Sequence, residues 1–480
     1  MTALPTPPDE FRRLGHQLVD LLSDHLDAAR SRDETLPVLP GTSPAAQLAA
    51  WNDRFDGGAD PIALWGAVVD RAHHLHHPRS VGHQVSPPHP VAALTDLLAN
   101  TLNNSAAIYE MGPVATAVER RVVRWMCDHI GFPAQSEGLL TSGGSLGNLT
   151  ALLAMRQVQA GYDLWHEGQS ADSRFAILVG AQTHYCVERA VRVLGWGAEG
   201  FIPVATDPKT HRMDPSALPT ALREAERRGR RVLGVVASAC STSTGAIDPL
   251  DAIADFCEAH QLWFHVDGAH GASLVISPRE RTKLAGIERA DSVVWDAHKT
   301  LLCSSLVTGV LFRRGAHVNA SFAPAAEYLF VADDADVADL DLGRRTLECT
   351  KPAFGLKLYM TLATLGEASI ARYLEHVVDV VAGFADAVDA ASDFELAHRP
   401  DANIVCFRHV PAGAVDLDLD QHQAVVRRAV VASGRFYVTR TTLAGQTWLR
   451  CTVLHPETQL DDLCALLDAI RAFGGRAASC

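Results

Sequence analysis

The 480-residue sequence predicts an α/β protein in which a mainly parallel sheet is covered by helices. From about residue 85 to 315, short β-branched runs alternate with helical stretches, as is typical of parallel strands joined by helices. A content of 48% apolar residues allows a large core. We expect an amino-terminal helical segment (residues 1–84), a large domain (residues 85–355) and a small α+β carboxy-terminal domain (residues 356–480).

The amino-terminal segment predicts helices interrupted by the stretch "PVLPGTSP". Four histidines cluster near its end, without an acidic partner at the helical spacing of a metal-binding pair. We therefore expect surface or interface histidines and no metal site at His73, His74, His76 and His77.

The large domain contains five apolar runs that predict strands: "RFAILVGAQTH", "RVLGVVASAC", "LWFHVDGAH", "DSVVWDAHK" and "TGVLFRR". In "AIDPLDAIADFCEAH" we expect Asp248 as the N-cap of a helix and Pro249 at its first position. In the small domain, "NIVCFRHV", "RFYVTR" and "TWLRCTVL" predict strands, with a hairpin around "TLAGQ". The stretch "QLDDLCALLDAIRAFG" predicts an amphipathic closing helix.

Charge and composition exclude several classes of partner. The net charge of −14 arises from 56 acidic and 42 basic residues, and the sequence has no Lys/Arg block, so nucleic acid is not expected. No segment offers the roughly 18 uncharged apolar residues of a membrane span, and the amino terminus has Pro and charges where a secretory signal has an apolar core. Ten cysteines without a CxxC pair indicate reduced thiols and a cytoplasmic protein.

Polar side chains follow four of the predicted strands. In an open parallel sheet, ligands bind beyond the carboxyl ends of the strands, so we expect these residues to converge there. They are His184 after the first strand, Ser241 and Thr242 after the second, Asp267 after the third, and His298 with Lys299 after the fourth.

An amine, a carboxylate and an imidazole at neighbouring strand ends suit pyridoxal 5′-phosphate. The amine of Lys299 forms an imine with the cofactor aldehyde, the carboxylate of Asp267 keeps the ring nitrogen protonated, and the imidazole of His184 lies on the ring face. Gly268 and Ala269 are small enough to leave room for the other face. We expect burial to lower the pKa of Lys299.

A phosphate site is predicted in "TSGGSLGNLTALLAMRQ". Ser142, Gly143, Gly144 and Ser145 precede a helix that we expect to begin near Leu146. Glycines allow a close backbone approach, serines donate hydrogen bonds, and a helix amino terminus favours an anion. The pattern is not GxGxxG and we expect no strand of the right kind directly before it, so a dinucleotide is not favoured.

Four of these stretches resemble, in order and spacing, the group II pyridoxal-phosphate decarboxylases, which include glutamate, aromatic amino acid and L-2,4-diaminobutyrate decarboxylases. They are "TSGGSLGNLTAL", "THYCVERA", "FHVDGAHGAS" and "DSVVWDAHKTL". Three others look most like the bacterial branch that contains diaminobutyrate decarboxylase: "HPRSVGHQVSPP", "LNNSAAIYEMGPV" and "LGRRTLECTK".

The resemblance implies an aminotransferase-like fold of type I and a homodimer in which both subunits build each active site. It implies that Lys299 carries the cofactor and that Asp267 pairs with the ring nitrogen. The remaining cofactor contacts that it implies are His184 on the ring, Gly144 and Ser145 at the phosphate, Thr242 and Ala269 near the ring, and His298 near the phosphate.

The implied reaction is loss of carbon dioxide from an L-amino acid, followed by protonation at Cα and release of an amine. Many relatives take that proton from a tyrosine on a mobile loop, but the corresponding stretch Phe330–Gly343 has neither Tyr nor His, and Ala335 stands at the expected position. One reading is that His184, Tyr328 or water donates the proton. Another is that oxygen intercepts the reaction and an aldehyde forms. A non-catalytic relative of these enzymes is a third alternative.

The substrate is less closely specified than the reaction. Gln84 resembles a glutamine that lines the substrate pocket of glutamate decarboxylases, and Asn103 and Asn104 lie in a comparable second segment. Arg440 is a candidate contact for an acidic side chain, although an exposed arginine at a strand end is the simpler reading. The branch resemblance favours L-2,4-diaminobutyrate, then glutamate or aspartate, and a bulky aromatic amino acid third.

Overall fold

The computed structural model describes residues 6–32, 35–51, 55, 57–322, 340–413 and 417–477. The chain forms two compact units. The terminal unit comprises residues 1–83, 380–397 and 406–480, and the central unit comprises residues 84–379 and 398–405. The three-part division expected from the sequence stays a prediction.

A seven-stranded sheet forms the middle of the central unit. The strand order is β1-β7-β6-β5-β4-β2-β3; β7 is antiparallel to both neighbours, while β2, β3, β4, β5 and β6 pair in parallel. The predicted mainly parallel sheet is therefore confirmed, with "TGVLFRR" as its reversed strand. The strands are β1 (Glu137–Thr141), β2 (Phe175–Gly180), β3 (Phe201–Val204), β4 (Arg231–Ser238), β5 (Trp263–Asp267), β6 (Ser292–Asp296) and β7 (Thr308–Phe312).

Helices cover both faces of this sheet, and as a result β2, β5, β6 and β7 are buried along their whole length. Proline stands in the first turn of the first five helices, where its missing N–H is not needed. The α-helices of the described residues are α1 (Pro8–Arg30), α2 (Pro44–Ala49), α3 (Pro61–Arg71), α4 (Pro90–Leu102), α5 (Pro113–Ile130), α6 (Gly144–Gln159), α7 (Leu164–Glu167), α8 (Tyr185–Val193), α9 (Leu218–Arg227), α10 (Leu250–His260), α11 (Ala297–Thr300), α12 (Phe354–Leu365), α13 (Glu367–Ala390), α14 (Leu419–Ala432) and α15 (Leu460–Ala477).

Short 3-10 turns complete the described secondary structure. They are Tyr109–Met111, Ala198–Gly200, Pro215–Ala217, Ala272–Ile276, Glu280–Leu284, Ile287–Arg289, Gly315–Ala320 and Leu342–Arg345. Within the described residues, no helix combines the length and the apolar character that crossing a membrane requires.

One local expectation is wrong. Asp248 does not cap α10; its carboxylate instead accepts the backbone N–H groups of Met213 and Ser238, each at 2.7 Å, and Pro249 takes the N-cap position. The strand before the glycine loop, β1, ends at Thr141 and pairs antiparallel with β7, and α6 begins at Gly144. Asp248 thus ties two strand-end loops together rather than starting a helix.

A second sheet has the order β10-β11-β9-β8, with strands β8 (Phe394–Leu396), β9 (Ile404–His409), β10 (Thr439–Leu443) and β11 (Gln446–Thr452). The predicted hairpin is confirmed: β10 and β11 are antiparallel, and Ala444 and Gly445 turn the chain with φ of 49° and 81°.

The histidine cluster of the terminal unit is more buried than expected. His74 and His77 are only 2% and 3% exposed, so the expectation of surface residues is wrong for these two. His74 Nδ1 lies 2.8 Å from Pro37 O and its Nε2 lies 3.2 Å from Val69 O, which explains why an imidazole is accommodated there.

Candidate active site

The carboxyl ends of β5 and β6 bring the central residues of the site to one edge of the sheet. The two strands pair in parallel, with Asp267 opposite Val294. β6 ends at Asp296 and continues directly into the single turn of α11, which carries Lys299. Adjacent parallel strands end at the same edge, so the carboxylate of one strand and the amine after the other lie at the same edge of the sheet.

Lys299 is ion-paired with Asp296. Its Nζ lies 2.9 Å from Asp296 Oδ2, and the two side chains are 19% and 1% exposed. Burial lowers the pKa of Lys299, but the charge and hydrogen bond of Asp296, together with the charge of Asp267, outweigh it and raise the pKa above its ordinary value. The expected lowering of the Lys299 pKa is therefore wrong, because Asp296 lies next to the amine.

Asp296, the ion-pair partner of Lys299, is a residue of this site that was not predicted from the sequence. Thr308, its partner in the antiparallel pairing of β6 with β7, donates from Oγ1 to Asp296 Oδ1 at 2.5 Å, and His298 Nε2 lies 3.6 Å from Oδ2. Burial raises the pKa of Asp296, but the charges of Lys299 and His298 and the Thr308 hydrogen bond hold it below its ordinary value. The i, i+3 spacing of Asp296 and Lys299 was the available signal.

Asp267 is held by neutral donors instead. Its Oδ1 accepts the backbone N–H of Ala269 and its Oδ2 accepts Nδ2 of Asn148, both at 3.2 Å, and the residue is 7% exposed. Burial raises the pKa of Asp267, and the charges of Lys299 and His184 only partly offset that effect. A buried carboxylate of this kind gains most from a cation placed against it.

His184 caps the amino terminus of α8. Its Nδ1 accepts the backbone N–H of Cys186 at 3.4 Å, which places the proton of the neutral ring on Nε2. Burial is the main cause that lowers the pKa of His184, so the ring is neutral at pH 7. Cys186, which sequence reasoning also missed, contacts Asn148 Nδ2 at 3.4 Å, and burial raises the pKa of its thiol to about 12.

The glycine loop lies directly against the carboxylate of Asp296. A Cβ added to Gly144 would lie 3.1 Å from Asp296 Oδ2 and 3.4 Å from Ala269 Cβ, so a side chain would crowd the site. Ser145 follows in the first turn of α6 and is exposed. The free backbone N–H groups of this helix start form a suitable site for a phosphate.

The other predicted cofactor residues belong to the same central unit. His298 is 9% exposed, its Nδ1 lies 3.0 Å from Val307 O, and its own carbonyl accepts Ser86 Oγ at 3.3 Å. Thr242 is half-buried in the loop that follows β4. The two contacts of His298 fix the backbone of α11 directly before Lys299.

The predicted substrate residues are more dispersed. Gln84 Nε2 is buried and has no hydrogen-bond partner in the described part of the chain. Asn103 has a left-handed conformation, with φ of 49°, and lines a cavity of about 600 Å³ with Asn104 and Leu306. Arg440 lies on β10 opposite Leu449, is exposed, and belongs to the terminal unit.

The predicted mobile-loop residues fall mainly outside the described residues. Tyr328, Ala335 and the part of Phe330–Gly343 up to residue 339 are not described. The chain is described again from residue 340, and Leu342–Arg345 forms a 3-10 turn.

The donor set fits pyridoxal 5′-phosphate. Lys299 offers a buried amine for the aldehyde, Asp267 a buried carboxylate with a raised pKa that a cation would stabilise, His184 a neutral ring, and Gly144 a loop without a side chain at a helix start. Among the described residues, no group of three or more His, Cys, Asp or Glu side chains is arranged to hold a metal ion.

Comparison with known proteins gives the same picture. The pyridoxal-dependent decarboxylase conserved domain matches residues 68–410. The L-2,4-diaminobutyrate decarboxylase of Rhizobium meliloti (strain 1021) is 31% identical over 469 residues, covering 96% of this chain and 91% of that protein. The aromatic-L-amino-acid decarboxylase of Bacillus atrophaeus is 27% identical over 470 residues, covering 97% and 95%. A crystal structure of mouse CSAD has a TM-score of 0.90 at 26% identity, covering 97% and 99%.

The two relatives and the mouse CSAD structure cover nearly all of the chain, and together with the family model they confirm the predicted family, fold type and cofactor. The geometry explains why the match is chemically meaningful, since the amine, the carboxylate and the glycine loop meet at one edge of the sheet. The chain therefore belongs to the pyridoxal-dependent decarboxylase family and is a pyridoxal 5′-phosphate-dependent amino acid decarboxylase of fold type I.

Proposed function

We propose that the enzyme removes the α-carboxyl group of a small polar L-amino acid as carbon dioxide, with L-2,4-diaminobutyrate as the first candidate substrate and glutamate or aspartate next. The observation that carries this proposal is the site itself, in which Lys299 Nζ lies 2.9 Å from Asp296 and is influenced by the charge of Asp267. The amine of Lys299 and the carboxylate of Asp267, which is held by neutral hydrogen-bond donors, are the two groups that this chemistry requires.

Each side chain has a proposed role toward the cofactor, which supplies electron withdrawal from Cα when it is bound. Lys299 Nζ would hold the cofactor through its aldehyde, Asp267 would accept a hydrogen bond from the protonated ring nitrogen, and the start of α6 at Gly144 and Ser145 would bind the phosphate. His184 would contact one ring face and Ala269 would leave space on the other. Thr242 and His298 are the remaining contacts proposed for the ring and the phosphate.

Proton transfer to Cα is assigned to groups already described. Lys299 Nζ holds a proton at neutral pH because its pKa is raised, and His184 carries its proton on Nε2. We propose that one of these two N–H groups returns the proton after carbon dioxide leaves, so that an amine is released.

The substrate proposal is supported by neutral amide groups. Gln84 Nε2 is a buried donor without a partner among the described residues, and Asn103 and Asn104 line a cavity. Amides hydrogen-bond to an ammonium through oxygen and to a carboxylate through nitrogen, so they suit short polar side chains of either charge. The 31% identity to a diaminobutyrate decarboxylase supports that amino acid as the first candidate substrate. An acidic side chain is the case in which Arg440 is proposed to contribute.

The test is carbon dioxide release from a panel of L-amino acids with added pyridoxal 5′-phosphate, with amine, aldehyde and peroxide measured in the same reaction. We expect turnover of diaminobutyrate, glutamate or aspartate with one amine per carbon dioxide, and none with Lys299→Ala. Aromatic amino acids as the preferred substrates, or aldehyde as the product, would contradict the proposal. No turnover of any amino acid by a correctly folded protein would contradict it entirely.

A homodimer is the proposed assembly. One face of α4 exposes four leucines, Leu94, Leu97, Leu98 and Leu102, which are 43% to 57% exposed. A contiguous apolar helix face of this kind is typical of a subunit interface. Sedimentation of the purified protein is expected to give a dimer, and the double variant Leu97→Glu/Leu98→Glu a monomer. A wild-type monomer would contradict the proposal.

A cytoplasmic location is also proposed. All nine cysteines of the described residues are free thiols, and seven of them are buried. Free thiols are typical of proteins that work in a reducing compartment. Fractionation of the producing cells tests the location, and recovery outside the cytoplasm would contradict it.

A further inference from the structure

Four buried side chains form a continuous hydrogen-bonded chain behind Asp267. Trp263 Nε1 donates to Ser292 Oγ at 2.9 Å, Ser292 Oγ lies 2.8 Å from His265 Nδ1, and His265 Nε2 lies 2.8 Å from Asn148 Oδ1. Asn148 Nδ2 then donates to Asp267 Oδ2 at 3.2 Å. The four residues are at most 1% exposed. We call Trp263, Ser292, His265 and Asn148 the relay.

The direction of every hydrogen bond in the relay is determined. The carboxylate of Asp267 accepts, so the Asn148 amide presents its nitrogen to Asp267 and its oxygen to His265. His265 Nε2 must therefore carry a proton. Burial lowers the pKa of His265 to about 4, so the ring is neutral, its Nδ1 is bare, and Ser292 donates to it. The indole of Trp263 can only donate, and it donates to Ser292. All donors point toward Asp267.

The pairing register of β5 and β6 places residues of the relay next to one another. Trp263, His265 and Asp267 alternate along β5 and therefore share one face of the strand. Ser292 pairs with His265 across β5 and β6, and Asn148 comes from α6. A fully buried polar network of this kind has no stability advantage over apolar packing.

Asp267 is left with a defined direction for a further partner. Its two oxygens each already accept one hydrogen bond, from Ala269 N and from Asn148 Nδ2. These two donors fix the carboxylate plane, so its remaining lone pairs have fixed directions. The rotamer of Asn148 is in turn fixed by His265, because a flipped amide would face the Nε2–H of His265 with another donor.

We propose that His265 and Asn148 are positioning residues that hold the carboxylate of Asp267 in the orientation that binds the protonated ring nitrogen of pyridoxal 5′-phosphate. This inference rests on the ring-nitrogen role proposed for Asp267. It extends that role from one residue at the end of β5 to a network that reaches α6 and β6. The relay acts only through Asp267, so its effect requires a ligand with a ring nitrogen.

The experiment compares two probes, pyridoxal 5′-phosphate and its 1-deaza analogue, in which carbon replaces the ring nitrogen. Dissociation constants are measured by equilibrium dialysis against the cofactor-free protein, after circular dichroism has shown that each variant is folded. We expect His265→Leu to weaken binding of pyridoxal 5′-phosphate about 10-fold, the loss typical of one charge-assisted hydrogen bond, and to leave binding of the analogue unchanged.

Two further variants sharpen the test. His265→Gln supplies an N–H for Asn148 Oδ1 and an acceptor for Ser292, so it is expected to restore binding to within about threefold. Asn148→Asp is nearly isosteric and places an acceptor against Asp267, so it is expected to repeat the loss; it also serves if His265→Leu does not fold.

Equal weakening for both probes would show a purely structural role and overturn the inference, as would unchanged binding of both. Asp267→Asn in the same assay separates this failure from failure of the proposed function. If Asp267→Asn loses the preference for the ring nitrogen but His265→Leu and Asn148→Asp keep it, only the relay is wrong. If Asp267→Asn also keeps it, the role proposed for Asp267 is wrong, and the relay with it.

Discussion

The ends of β5 and β6 each carry a buried carboxylate, and the two carboxylates behave in opposite ways. The pKa of Asp267 is raised and the pKa of Asp296 is lowered, although burial is the largest influence on both and raises both. The difference lies in their partners. Asp267 accepts hydrogen bonds from an amide and a backbone N–H, whereas Asp296 lies 2.9 Å from the ammonium of Lys299.

Within one site, Asp296 therefore already has a cationic partner, whereas Asp267 can still bind one. Neutral donors orient Asp267 without supplying the positive charge that would fully offset its burial, so it gains when a cation arrives. Asp296 already has its cation and a hydroxyl donor in Thr308, so it acts on Lys299 rather than on a ligand. Substitutions at the two positions are therefore expected to differ in kind.

The largest expected difference between substitutions at the two carboxylates is in the rate of carbon dioxide release. Asp267→Asn is expected to lower carbon dioxide release on the order of 10³-fold, because the ring nitrogen loses the group that keeps it protonated. Asp296→Asn is expected to lower it about 10-fold, because Lys299 loses a charged hydrogen bond but keeps its amine. Both rates are measured at saturating pyridoxal 5′-phosphate. The comparison fails if Asp296→Asn is the more damaging change.

For the free energy of unfolding, the order of the two substitutions is expected to be reversed, with Asp296→Asn the more damaging. Asp296→Asn is expected to lower the free energy of unfolding of the cofactor-free protein by about 3 kcal/mol at pH 7, because a buried ion pair is broken. Asp267→Asn is expected to leave that free energy unchanged or raise it, because the folded state no longer has to ionise a carboxyl whose pKa is raised. Urea unfolding measures both.

The pH dependence of that stability has a definite sign. A carboxyl with a lowered folded pKa stabilises above its unfolded pKa of about 4. The advantage of the wild type over Asp296→Asn is therefore expected to be present at pH 7 and to disappear as the pH falls through the folded pKa of Asp296. An advantage that persists at low pH would show that the ion pair is not its source.

The strand ends were predictable from sequence, while their side-chain partners were not. A buried run followed by Asp267, or by His298 and Lys299, is a local pattern, and the parallel order of β5 and β6 makes such ends meet. The direction of the pKa shift of Lys299 depends on the carboxylate of Asp296, which in the sequence is only the last residue of β6. The role of Asp296 needed the geometry of the turn.

Other parts of the site depend on register between distant segments. Asn148 meets Asp267 across 119 residues, and Ser292 meets His265 only because β5 and β6 pair at that position. β1 was missed for a different reason: it is five residues long and contains Glu137 and Gly138, which favour strands weakly. Its pairing with β7 supplies what the local sequence lacks.

Capture of the cofactor should reveal what Asp296 does to Lys299. Only an unprotonated amine attacks an aldehyde, and Asp296 keeps the pKa of Lys299 raised, so the association rate is expected to increase with pH in the wild type. In Asp296→Asn, burial then acts without its counter-charge, and the profile is expected to move to lower pH. Stopped-flow absorbance of the bound cofactor measures the rate. Superimposable profiles would contradict the proposed control of Lys299 by Asp296.

The smallest expected effect concerns the hydroxyl that holds Asp296 from β7. Thr308→Val keeps the shape and the ion pair but removes the donor 2.5 Å from Asp296 Oδ1, so it is expected to lower the free energy of unfolding by about 1 kcal/mol. Thr308→Ser, which keeps the hydroxyl, is the matched control. If Thr308 acts through Asp296, the two changes couple, and Thr308→Val has a smaller effect in an Asp296→Asn background. An equal loss in both backgrounds would mean that Thr308 supports the packing of β7 and that Asp296 depends on Lys299 alone.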